Sequence, residues 1–156
     1  MGWSPKRALR EREHIDLEWR DLPRGIFGAW IPRGPRATIV LATRLSRRSR
    51  RCILAHELAH DERGIATTAL PTRLRAKEER AVDLEVARRL VPVHELGPWV
   101  ERMVGAGDAV TVEIVADTWD VDRFVAARAL EFLASERWLT SSIAVLLARS
   151  TQLDGR

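Results

Sequence analysis

Residues 56–60 read His-Glu-Leu-Ala-His, inside a run of helical character that begins after Ser46 and ends at Gly64. Nothing else in the chain restricts its fold as strongly. Two histidines four residues apart leave one helix face about 5–6 Å from each other at Cβ, so both rings can reach one metal at about 2.0–2.1 Å. Glu57 is offset by one residue, which lets its carboxylate reach a water at the metal without becoming a ligand. The pattern is that of a hydrolytic zinc site, with His56 and His60 as ligands and Glu57 as general base. Water is a weak nucleophile until a divalent cation and a nearby carboxylate take its proton, and a cation with an open position brings a water's pKa to about 7.

A third ligand has to come from elsewhere in the chain. A metzincin requires glycine at 63 and histidine at 66; Arg63 and Ala66 stand there, which excludes that class. Downstream, His94 is the only other imidazole, and a second helical segment over residues 77–91 lies between Pro71 and Pro92. On it Glu79, Asp83, Val86 and Leu90 share one face while Arg80, Arg88 and Arg89 lie opposite. Inward carboxylates are costly unless they are paired or bind a cation. Glu79 as ligand, with Asp83 one turn on holding a zinc histidine by its second nitrogen, makes the Glu-x-x-x-Asp pair that gluzincins use. Surface pairs with Lys77, Arg75 and Arg80 are the alternative, and Glu78 suits that alternative.

The segment Leu54-Ala-His-Glu-Leu-Ala-His60, followed by Glu79, Asp83, Ala87 and Leu90-Val-Pro92, resembles the ImmA/IrrE family of metallo-endopeptidases, in its compact form from phages and mobile elements of actinobacteria. The resemblance covers roughly residues 14–96. It implies Glu79 as the third zinc ligand, thirteen positions before Pro92, and Asp83 as the residue behind it. Glu85 stands where the family carries an aromatic. The implied activity is that of a zinc endopeptidase that cleaves a helix-turn-helix repressor or an antitoxin partner, often encoded beside it.

Short strands are expected over residues 15–19, 26–31 and 38–42, with turns at Pro23-Arg-Gly25 and Pro32-Arg-Gly-Pro35. The expected fold is α+β: a small antiparallel sheet packed on a zincin-like helix and a second ligand helix, with a helical C-terminal subdomain. The division expected is residues 1–100 for the metallopeptidase domain and 101–156 for the subdomain. Thr38, Ile39, Val40, Leu41 and Ala42 form the candidate edge strand along which an extended peptide would pair. The chain has no tyrosine, so oxyanion stabilisation would fall to His94, the best side-chain candidate, or to His14, an arginine or main-chain amides.

Helices are expected over 110–119, 122–133 and 140–149, with Trp119, Phe124, Phe132 and Trp138 in their core. Residues 115–125 resemble the helix-turn-helix of a DNA reader, but Asp120 replaces the turn glycine and Asp117, Asp120 and Asp122 would repel phosphates. A structural or docking role is therefore preferred over direct DNA binding. The net charge of +4 divides into a basic N-terminal third and an acidic remainder, with Arg47-Arg48-Ser49-Arg50-Arg51 the sharpest cluster, read as a solvated face or an attractor of acidic partners. The single cysteine, Cys52, gives no disulfide framework and points to a reducing cytoplasm; it is read as a buried thiol, with a fourth metal ligand as the alternative. The charged N-terminus is no secretory signal, and the longest apolar stretch, 143–148, is too short to span a bilayer. The competing function is a non-enzymatic regulator that retains the zinc-peptidase fold and binds protein or DNA.

Overall fold

The computed structural model describes residues 2–135. The expected helix over 140–149 and the core position of Trp138 lie outside the described residues. The chain divides into two compact units, Met1–Val86 and one that begins at Ala87. The boundary falls inside a helix and earlier than the expected division at 100.

The first unit opens with α1, Pro5–Arg10, followed by β1, Ile15–Arg20, β2, Gly28–Arg33, and β3, Arg36–Ala42. The helix α2, Arg47–Arg63, carries the His-Glu motif, and α3 runs over Thr72–Leu90 after a short turn at Thr67–Ala69. Ser46 caps α2 by accepting from the Ser49 N–H at 3.1 Å, and Gly64 closes it at φ 63°, a left-handed conformation that glycine adopts without steric cost. The expected limits of α2 hold. α3 begins five residues earlier than expected, because its first turn is exposed and carries no apolar periodicity; the Arg75 N–H returns to the Pro71 carbonyl at 2.9 Å.

The sheet is mixed, in the order β1-β3-β2, and not an antiparallel meander. β2 and β3 form an antiparallel hairpin across Gly34 (φ 60°) and Pro35, while β1 pairs with β3 in parallel, Ile15 opposite Ala37 through Arg20 opposite Ala42. Residues 21–27 therefore carry the chain across to the far side of β3. Arg44 pins that crossing by donating to the carbonyls of Leu22, Pro23 and Ile26. Two neighbours leave β3 with no unpaired side, so Thr38–Ala42 is the central strand and the expectation of an edge there is corrected. The edge next to the His-Glu helix is β2.

Register fixes what β2 offers. The Ala42 N–H donates to the Phe27 carbonyl at 2.9 Å, and in the same register Ala29, Ile31 and Arg33 turn their main-chain groups toward β3. Gly28, Trp30 and Pro32 turn theirs outward, and Pro32 has no N–H to give. The core of this unit lies between the sheet and α2, where Ile39, Leu41, Leu54 and Leu58 are buried together with Ala8 of α1. Burying a leucine of this kind contributes about 1.5–3 kcal/mol.

The second unit contains α4, Val93–Gly105, α5, Val112–Trp119, and α6, Arg123–Ser135. Leu96, Val100, Val115, Val121, Leu130 and Leu133 form its buried set. Asp120 takes the left-handed conformation at φ 51° between α5 and α6, so it performs the turn that glycine usually performs in a helix-turn-helix. Among the expected core aromatics, Phe124 is exposed and has Arg128 stacked on its ring, whereas Trp119 and Phe132 are half-buried. No helix among the described residues is long and apolar enough to cross a membrane.

Candidate metal centre

Three side-chain atoms converge between α2 and α3. His56 Nε2 and His60 Nε2 are 3.1 Å apart, and Glu79 Oε2 lies 3.3 Å from the first and 3.4 Å from the second. A tetrahedral ion with bonds of about 2.0–2.1 Å separates its ligands by about 3.3–3.4 Å, so the triangle has the size that such an ion requires. The chemistry of the atoms agrees with the size. His56 Nδ1 faces Asp83 Oδ1 at 3.3 Å, and donation there leaves Nε2 with its lone pair aimed at the other two atoms. Lone pairs from two rings and a carboxylate repel one another unless a proton or a cation lies between them. His56, His60 and Glu79 form a group that can hold a metal ion.

The local fold explains the convergence. The i, i+4 spacing on α2 sets the two imidazoles edge to face, with ring centroids 4.8 Å apart, and the same spacing on α3 puts Glu79 and Asp83 on one face. Val82, Val86 and Ala87 bury the neighbouring stripe of α3. Arg63, in the last turn of α2, forms a two-pronged ion pair with Glu78, one prong at 2.9 Å, and so fastens α2 to α3 one residue from Glu79. Glu78 thus does make the surface-type pair expected of it, although with Arg63 in place of Lys77, Arg75 or Arg80. Arg63 holds the Glu78 carboxyl below its ordinary pKa, and Glu78 raises that of Arg63 in return.

Electrostatics separates the site's titrating groups. Burial raises the pKa of Glu57 to about 7, with the Glu79 charge adding to the rise and His56 and a hydrogen bond from the Trp30 main chain opposing it. Burial alone would lower His56, but the hydrogen bond to Asp83 and the carboxylates of Glu57, Asp83 and Glu79 outweigh it and raise its pKa. His60 is lowered, first by burial and then by the charge of His56, with Glu79 offsetting part of the effect. A carboxyl poised near neutrality beside a cation-binding triangle can exchange protons with a water at neutral pH.

These groups open on a cleft of about 380 Å³, walled on one side by β2 from Gly28 to Pro32 and on the other by Ile65, Ala66, Thr67 and Thr68. The two residues of β2 that matter most carry no signal in a motif. A Cβ placed on Gly28 would stand 2.5 Å from Ile53 Cγ2 and 2.8 Å from Glu57 Oε1, so β2 approaches Glu57 this closely only because that position is glycine. Trp30 reaches Glu57 through its main chain and Asp61 through its indole, Nε1 to Oδ1 at 3.0 Å. Sequence reasoning passed over both residues because it placed the edge on β3. Gly28→Ala is expected to destabilise the fold by about 1–3 kcal/mol, the cost of overpacking, measured by denaturant unfolding of the metal-free protein; an unchanged midpoint would show that the contact yields freely.

The other candidates are distributed as follows. Cys52 is buried and does not belong to the metal-binding group. His14 donates through Nε2–H to Asp61 Oδ2 at 3.0 Å. His94 lies on α4 with its side chain 82% exposed, 3.8 Å from Glu95; it is not among the residues lining the cleft but borders a separate depression with Trp99, Arg102 and Trp119. Comparison of the chain with protein-family models, with curated proteins and with solved structures finds no match.

Proposed function

We propose that the chain is a gluzincin-like zinc endopeptidase of the ImmA/IrrE kind, acting in the cytoplasm on an extended segment of a helix-turn-helix repressor or antitoxin partner. The observation that carries this reading is the combination of a tetrahedral-sized His56–His60–Glu79 triangle with the buried carboxyl of Glu57 in one cleft. A module that only binds protein or DNA has a use for the triangle as a structural staple but none for Glu57, whose burial costs stability. A zinc ion bound to the three side chains would supply Lewis acidity toward a carbonyl oxygen and acidity to a water.

The chain's own residues account for the rest. Glu57 takes a proton from the attacking water on a carboxylate oxygen and delivers it to the departing amine nitrogen. Asp83 keeps the His56 ring oriented and raises its basicity by holding Nδ1–H. The outward main-chain groups of Gly28 and the outward carbonyls of Trp30 and Pro32 offer an extended peptide a short ladder beside Glu57, while the Trp30 N–H is held by Glu57 itself. Uncharged walls at Ile31, Ile65, Ala66 and Thr67 favour apolar side chains over charged ones in the bound segment.

Partner choice follows from the helical unit. On the α5–α6 pair, Arg123 is bound to Glu113 at 2.7 Å and Arg128 to Glu131 at 2.6 Å, and Asp117 and Asp120 on the same pair of helices are exposed. Such a face suits docking to protein better than to phosphate. Zinc-loaded protein should cleave an unstructured peptide library, lose that activity to a chelator and recover it on readdition of zinc. Retention of stoichiometric zinc without any cleavage, of library or of repressor, would favour the regulator reading instead.

A further inference from the structure

One row of α2 runs beneath β2. Ile53, Glu57 and Asp61 are spaced i, i+4, i+8, and four helical residues advance about 6 Å, close to the roughly 6.8 Å that two strand residues cover. Gly28 sits over Ile53 and Glu57, and Trp30 over Glu57 and Asp61. The strand is thus attached to two successive turns of the helix that carries the candidate base.

The two attachments differ in character. The bond from the Trp30 main chain to Glu57 depends on the state of a carboxyl that has to gain and lose a proton in the proposed reaction. The bond from the Trp30 indole to Asp61 does not. Asp61 has a side chain only 9% exposed and is held from the other side by His14 Nε2 at 3.0 Å and Arg12 Nε at 3.9 Å. Arg12 is itself fixed by the Ala8 carbonyl at 2.6 Å and by Glu62. A nearly buried carboxylate with donors on several sides keeps one orientation, and a tryptophan N–H aimed at it fixes a strand.

We propose that Trp30 and Asp61 form a positioning pair that holds the outward edge of β2 at a set distance from Glu57, and so sets where an extended peptide lies relative to that base. The first half of this statement concerns the fold alone; the second rests on the peptidase reading. Neither residue touches the reacting atoms through this bond.

The test uses the zinc-loaded full chain and three variants. Trp30→Phe keeps an aromatic ring, smaller than the indole, and removes the indole N–H; Asp61→Asn keeps an acceptor oxygen and removes the charge; Asp61→Ala removes both. Trp30→Phe and Asp61→Ala are expected to speed amide hydrogen exchange at residues 28–31 by about tenfold, the scale of one hydrogen bond, with zinc content unchanged. They should also raise KM for an unstructured peptide by a similar factor. Asp61→Asn should stay close to the parent in both. Parent-like exchange and KM in Trp30→Phe, a fall in kcat alone, or an Asp61→Asn that behaves like Asp61→Ala would overturn the proposal, because each points to bulk stability or to the Arg12 and His14 charge link. If the parent cleaves no peptide, the peptidase reading fails by itself, and the exchange series still decides whether the pair holds the strand.

Discussion

Replacing Glu57 with glutamine is expected to lower peptide hydrolysis by about 10²–10⁴-fold, the scale of losing a general base, while zinc content stays that of the parent. The same change should make the metal-free protein more stable. The Glu57 carboxyl has its pKa raised by burial from an ordinary 4.5 to about 7, so between those values the unfolded chain releases a proton that the folded chain retains. Folding stability from this group is therefore complete below about pH 4.5 and is lost as pH rises through about 7. At about 1.4 kcal/mol per pKa unit the loss is about 3.5 kcal/mol, an upper bound set by full burial. Glutamine carries no proton to lose, so the advantage of Glu57→Gln over the parent should open above pH 4.5 and be full above pH 7. Denaturant midpoints of both proteins, taken with chelator at pH 4 and pH 8, measure it. A variant less stable than the parent at pH 8, or one with full peptidase activity, would remove Glu57 from the proposed role.

The second large effect concerns Glu79. Removing an outer residue that orients a metal ligand costs about 10–100-fold in affinity, and Glu79→Ala removes a ligand, so its zinc dissociation constant should rise by more than about 100-fold. Asp83→Ala, which frees His56 Nδ1 and with it the ring orientation, belongs in the 10–100-fold range. Glu78→Ala should bind zinc like the parent, although it breaks the pair with Arg63 that joins α2 to α3 and should melt at lower temperature. Competition titration with a chromophoric chelator ranks the three. Equal zinc loss in Glu78→Ala and Glu79→Ala would mean that helix docking, and not ligation, governs the site.

The helix and the side-chain group that can hold a metal were legible in the chain because their signals are local. Ser46, the motif and Gly64 delimit α2 within seventeen residues, and Glu79 with Asp83 repeats the i, i+4 logic on α3. The sheet was not legible in the same way. Proximity in sequence to α2 suggested that residues 38–42 border the cleft, whereas pairing order depends on the crossing of residues 21–27, which three carbonyl bonds from Arg44 hold in place. One signal was available: residues 37–42 are apolar or small without alternation, and all are buried, as a strand flanked on both sides and covered on both faces demands. Gly28 and Trp30 could not be found without that order, since their importance lies in contacts with a helix more than twenty residues away.

Pro32 bears on a hazard separate from catalysis. A strand left open for a ligand is equally open to a second copy of itself, and long, flat, open edges seed aggregation. β2 spans six residues and only its alternate positions face outward, the last of them a proline followed by Arg33. β1, at the other border, carries Asp16, Glu18 and Arg20 among its six residues. Neither border of this sheet offers the long uncharged ladder along which edge-to-edge pairing grows, so the design keeps a strand open at its cleft while blunting that one route to aggregation.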